Sequence, residues 1–86
     1  MYMSSNNYTQ TIIQIDNISD VYEFIKFASR VDGDVLVSKG KFTVDGKSFL
    51  GIFSLDISKP VIVLYPSDAG EFAEFIRPFE VFIKGN

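Results

Sequence analysis

The chain has 86 residues, enough for one small domain, and its 47% hydrophobic content with nine Phe and four Tyr supplies the dense core that a domain of this size needs. It contains no cysteine and no histidine, which excludes a disulfide framework, a thiolate nucleophile and Cys-ligated metal, and removes the commonest general base, proton shuttle and metal ligand. The formal charge of −3, eight basic against eleven acidic residues, gives little attraction to a phosphate backbone or an anionic bilayer, so neither nucleic acid nor membrane is expected as a partner.

Residues 1–8 are mostly polar and predict a flexible tail, leaving residues 9–86 as a single domain. The opening MYMSSNNYTQ has no basic-then-apolar signal pattern, and the longest apolar run, residues 61–65, is far below the ~20 residues that cross a bilayer. A soluble, cytoplasmic protein is expected. Residues 9–16 (TQTIIQID) alternate β-branched side chains and read as a strand. Ile18, Val21, Phe24, Ile25 and Ala28 then recur at helical spacing, and Asp20 with Glu23 forms an Asp version of the capping box, so a helix is expected over residues 20–30. The S-D-x-x-E-F string of that segment returns at residues 67–72, followed by Phe75, Ile76 and Phe79, and predicts a second helix start of the same kind.

Residues 34–38 and 41–45 flank Lys39-Gly40, the spacing of a two-residue hairpin that would pair Val37 with Phe42 and Val35 with Val44. Ser48 is placed to cap a short helix carrying Phe49, Leu50, Ile52 and Phe53. Pro60 and Pro66 bracket the strand VIVLY, whose apolar chains on both faces make the uncovered side of the sheet a candidate surface for self-association. Pro78 interrupts the last helical pattern and should end or kink it. The order β-α-β-β-α-β-α predicts an α+β fold: an open-faced sandwich, a four-stranded antiparallel sheet with three helices on one face.

The strings ASRVDGDV (residues 28–35) and GKSFLGIFSL (residues 46–55), the ungapped spacing between them and the element order over residues 9–78 resemble the HPr family, the bacterial phosphocarriers of the sugar phosphotransferase system. The resemblance implies the HPr-like fold and a phosphoryl-accepting histidine just before the first helix, accompanied by an arginine and a proline. Counted back from Ser48 without a gap, those three positions hold Asn17, Ser19 and Asp20, and none of the three family residues is retained. An amide nitrogen is not a nucleophile, and Asp16 and Asp20 bring negative charge to the place where a phosphoryl group would sit. Asp16 and Asp20 themselves are expected as solvated helix-cap carboxylates rather than acceptors.

The resemblance further implies that Ser48 is a candidate regulatory phosphorylation site for an HPr kinase, the modified protein acting on a catabolite regulator, with Lys47 sharing the phosphate charge. A local capping role is the alternative for Ser48. It also implies that Phe49, Leu50 and Phe53 stay partly exposed and, with Lys47, form the partner-binding surface; two turns of helix cannot bury four apolar residues on one face. The expected function is that of a histidine-less, non-catalytic regulatory or protein-binding module related to the phosphotransferase system and carbon catabolite control, with no cofactor and no metal. The alternative is a working phosphocarrier that uses a non-histidine acceptor. The identity of the partner and the oligomeric state stay open at the level of sequence.

Overall fold

A computed structural model describes residues 7–82. The expected tail therefore lies outside the described residues as far as residue 6, whereas its last two residues are part of the fold. The Asn7 carbonyl accepts a hydrogen bond from the Ser67 amide at 2.9 Å, and Tyr8 opens the first strand. The elements are β1 (Tyr8–Ile13), α1 (Ile18–Ser29), β2 (Leu36–Lys39), β3 (Phe42–Asp45), α2 (Phe49–Ser54), β4 (Val61–Pro66), α3 (Gly70–Ile76) and a 3-10 turn at Arg77–Phe79. The four strands form one antiparallel sheet in the order β1-β4-β2-β3.

Strand β4 shows why one side of this sheet is covered. Val61, Val63 and Tyr65 are buried on the face shared with Ile13 of β1 and Val37 of β2, while Ile62 and Leu64 alternate onto the open face. The three helices supply the other half of the core through Val21, Phe24, Ala28, Ile52, Phe72 and Ile76. The result is the expected open-faced α+β sandwich: a four-stranded antiparallel sheet with three helices. Rings tie the layers together. Tyr65 meets Phe72 of α3 edge to face at 5.3 Å, Phe72 meets Phe24 of α1 at 5.5 Å, and Phe27 of α1 stacks on Phe75 of α3 at 4.6 Å. Phe75 is thus only half-buried, packed against the core rather than inside it.

Several boundaries depart from the sequence reading, each for a local reason. Strand β1 stops at Ile13 instead of residue 16, because the next backbone amides leave the sheet: Gln14 donates to the Phe79 carbonyl and Ile15 to the Ile57 carbonyl, both at 3.0 Å. Helix α1 starts at Ile18, capped by Asn17, so Asp20 and Glu23 fall inside the helix and form no capping box. Helix α3 starts at Gly70 after Ala69, with no side-chain cap, and the two S-D-x-x-E-F strings therefore stand differently in their helices. In the second string Ser67 instead bonds Thr9 through its hydroxyl at 2.7 Å.

The hairpin turns at Gly40-Lys41, pairing Val37 with Val44 and Lys39 with Phe42. Gly40 has φ +61° and, among the described residues, no non-glycine residue has positive φ, the pattern of a turn that places glycine first of its two central residues. The register is two residues away from the expected one. A shift of two keeps every side chain on its face, so the buried set survives, but it moves Phe42 past the end of the core, where it is 69% exposed. Beyond α3, Pro78 sits in the 3-10 turn, and the chain then returns to the outer edge of β1: Glu80 bridges Ile13 and the Val81 amide donates to the Ile12 carbonyl at 2.9 Å. That edge is partly covered, which the sequence did not indicate.

Between β3 and α2 the backbone passes close under β2. The Gly46 amide donates to the Val35 carbonyl at 2.6 Å, and a Cβ at Gly46 would lie 2.6 Å from Val35 Cγ1 and 3.1 Å from the Val35 carbonyl oxygen. Neither neighbour is the end of a flexible chain. The Gly46→Ala variant is expected to lose about 1–3 kcal/mol of stability, the usual effect of overpacking, and its urea midpoint should fall at unchanged m-value.

Candidate functional site

The mouth of α1 is occupied by a cap. Asn17 has extended backbone (φ −100°, ψ 127°), and its Oδ1 accepts from the Ser19 amide at 2.9 Å and from the Ser19 hydroxyl at 2.7 Å. Two of the three positions aligned with the carrier motif are thus brought together and bonded to each other, with the Asp20 carboxylate one residue farther into the first turn. The arrangement satisfies backbone donors at a helix end. The Asn17 amide nitrogen, whose lone pair is delocalised into the carbonyl, is not a nucleophile.

Helix α2 is the second part of the site. Ser48 is its N-cap: the hydroxyl oxygen accepts from the Gly51 amide at 3.0 Å. With six residues, α2 buries only Ile52; Phe49 and Phe53 are partly exposed and Leu50 is 79% exposed. Phe49 and Phe53 lie one turn apart with ring centroids at 4.7 Å, and both rings meet Tyr22 of α1, Phe49 stacked at 5.5 Å and Phe53 tilted at 5.7 Å. Leu50 projects ~100° around the helix from Phe49 and extends the apolar surface. Lys47 does not join it. Its ammonium donates to the Val31 carbonyl at 2.9 Å and its amide to Asp45 Oδ1 at 2.9 Å, so the side chain ties the approach to α2 to the end of α1 rather than standing beside Ser48.

Tyr22 and Ile18 were not singled out as surface residues by the sequence, and Ile18 was placed in the core stripe. Val21, Phe24 and Ala28 are the buried residues of α1, which centres the stripe roughly 90° away from Ile18 and still farther from Tyr22. Ile18 is accordingly 58% exposed and Tyr22 51% exposed, one turn apart on the same side. The legible signal was a tyrosine at a solvent position of an amphipathic helix.

From Phe53 the surface runs into an open groove of about 400 Å³ between the start of α1 and residues 54–58, with Asp16, Ile18, Leu55, Asp56 and Ser58 among its walls. Asp56 Oδ1 accepts from both the hydroxyl and the amide of Ser58. The Ser58 hydroxyl, above all, holds the Asp56 carboxyl below its usual 3.8, with Lys39 and Lys59 acting in the same direction at longer range. Asp16 receives a long bond of 3.5 Å from the Gln14 side-chain amide. Among the described residues no group of three His, Cys, Asp or Glu is placed to hold a metal ion, and no helix is long and apolar enough to cross a membrane.

No protein-family model matches the chain, and no curated protein matches it. A solved structure does: the phosphocarrier protein HPr from Bacillus anthracis str. Ames shares 27% of residues, with a TM-score of 0.66 over 88% of this chain and 100% of that one. The strand order, the single covered face and the capped short helix after the hairpin are thus those of a known architecture, and the chain has the HPr-like fold.

Proposed function

We propose that this chain is a non-catalytic protein-binding module of the phosphotransferase and carbon-control kind, engaging partners through the α1–α2 face rather than relaying a phosphoryl group. The observation that carries the reading is the aromatic triad of Tyr22, Phe49 and Phe53, flanked by Ile18 and Leu50. These are large apolar side chains left at the surface and in contact with one another. Contiguous exposed aromatics of this kind are unusual on a small monomer and are the common anchors of protein interfaces. The absence of histidine from the whole sequence and the use of Asn17 and Ser19 in a cap support the non-catalytic half of the reading. On this reading Ser48 serves the surface by ordering α2, and the partners that the resemblance suggests are an HPr kinase and a catabolite regulator.

Incubation with phosphoenolpyruvate and the first enzyme of the phosphotransferase system should leave the chain unlabelled. Acid-labile or hydroxylamine-sensitive label on Asp16 or Asp20 would overturn the reading in favour of a non-histidine carrier. The Leu50→Ala variant should change stability by no more than about 0.5 kcal/mol, as an exposed position does, while weakening partner binding by more than about 1 kcal/mol in calorimetric titration against the kinase or the regulator. Replacing the cap, Ser48→Ala, should lower stability by about 1 kcal/mol in urea denaturation. Label introduced by the kinase and ATP should vanish in that variant if Ser48 is also the regulatory site.

A further inference from the structure

The charged side chains that line the groove beside the docking face have one sign. The groove that continues the aromatic triad past Phe53 has two carboxylates in its walls, Asp16 and Asp56, and neither a Lys nor an Arg. None of the ion pairs among the described residues involves Asp16 or Asp56: these pairs join Lys26 with Glu23, Arg30 with Glu71 and Arg77 with Glu74. Lys39 and Lys59 act on Asp56 only at longer range: Lys39 bonds its backbone carbonyl at 3.4 Å, and neither lysine forms an ion pair with its carboxylate. The Asp56 carboxylate is instead oriented by Ser58, whose two donors hold it ionised. Ile18, Phe53 and Leu55 form the apolar part of the same walls. A groove of about 400 Å³ that is open to solvent accommodates side chains of a peptide rather than an enclosed small molecule.

We infer that the occupant of this face is a cationic segment of a protein partner, with an apolar side chain seated against Phe53 and Leu55 and an adjacent Lys or Arg directed at Asp16 and Asp56. The inference rests on the α1–α2 face being the docking surface, as proposed above, and adds the chemistry of what docks there. Aromatic contact gives the anchor and the carboxylates give its orientation. Opposed potentials across an interface raise the association rate and reject partners of the wrong charge. An acidic segment would bring like charges into the groove and be disfavoured there.

Two synthetic decapeptides decide it, identical in their Leu and Phe and differing only in whether the flanking residues are Lys and Arg or Glu. Each is titrated into the full-length ¹⁵N-labelled chain at low and at physiological salt. The basic peptide should shift the amides of residues 16–22 and 49–58 saturably, with an affinity that falls as salt rises. The acidic peptide should leave them in place. Asp16→Asn and Asp56→Asn should each weaken binding of the basic peptide about two- to fivefold, the range of exposed ion pairs. Asp16 has no structural bond shorter than 3.5 Å to lose, so its variant reports charge alone even if Asp56→Asn disturbs the Ser58 turn. Equal binding of the two peptides at those amides, or preference for the acidic one, overturns the cationic inference and leaves the docking face intact. Absence of shifts there with either peptide at millimolar concentration overturns both.

Discussion

Three rings in series, Tyr65 on β4, Phe72 on α3 and Phe24 on α1, set the geometry on which the rest of the molecule depends. Each contact is edge to face, an arrangement worth about 0.5–1.5 kcal/mol beyond the burial of the rings themselves. The series runs from the sheet through one helix to the next and fixes both long helices over β4 and its neighbours. A third ring pair, Phe27 on Phe75, then aligns α1 with α3 along their lengths, with the Arg30–Glu71 contact at 3.5 Å beside it. With the ion pair exposed on both sides, the rings and not the charges do the aligning.

That arrangement determines what is left for α2. The covered face of the sheet is filled by α1 and α3, and the short helix lies beside β3 with Ile52 as its single buried residue. Phe49 and Phe53 do not follow Ile52 inward: they lie about 60° and 100° around the helix from it, outside the narrow stripe that reaches the core. They turn instead to Tyr22, and the three rings screen one another from water as far as stacking allows. The surface patch is therefore a consequence of where the core ends. A domain of this size buries a limited share of its apolar surface, and five of the large apolar side chains left exposed, Ile18, Tyr22, Phe49, Leu50 and Phe53, belong to α1 and α2.

Much of this was legible in the sequence, and the parts that were not share a cause. Helical period, β-branched alternation and turn and proline signals located the four strands and the three α-helices, though not the 3-10 turn after α3, and Ser48 is a cap as read, since its environment is local. The hairpin register was not legible, because a shift of two residues conserves the buried face and only a glycine with φ of +61° distinguishes Gly40-Lys41 from Lys39-Gly40. Nor was the start of α1: Asn17 and Asp20 are comparable caps, and the choice between them is made by the extended backbone of Asn17 and the serine two residues on. The return of residues 80–81 to the edge of β1 depends on tertiary hydrogen bonds, to which composition and period are blind. Lys47 shows the same limit at the site. Its neighbour in sequence is Ser48, but its partner in space is the Val31 carbonyl, 16 residues away.

The chemistry at the mouth of α1 follows from the same exchange of roles. In the carrier arrangement implied by the resemblance, the helix start is left open so that its unpaired amides and a nearby cation can hold a phosphoryl dianion. Here the Ser19 amide is already bonded to Asn17, and the serine hydroxyl at that position points to the same oxygen. The nearest ionisable side chains in sequence, Asp16 and Asp20, are acidic. Two like charges 4 Å apart repel by about 1 kcal/mol in water and about 4 kcal/mol at the dielectric of a protein surface, and a dianion doubles the interaction. On the proposed non-catalytic reading, the occupied cap and the acidic neighbours act in the same direction, each working against anion binding at this helix start. The core that fixes α1 and α3 does not involve this corner, because neither Asn17 nor Asp16 contributes to the buried set, so the residues here are free to differ without loss of the fold.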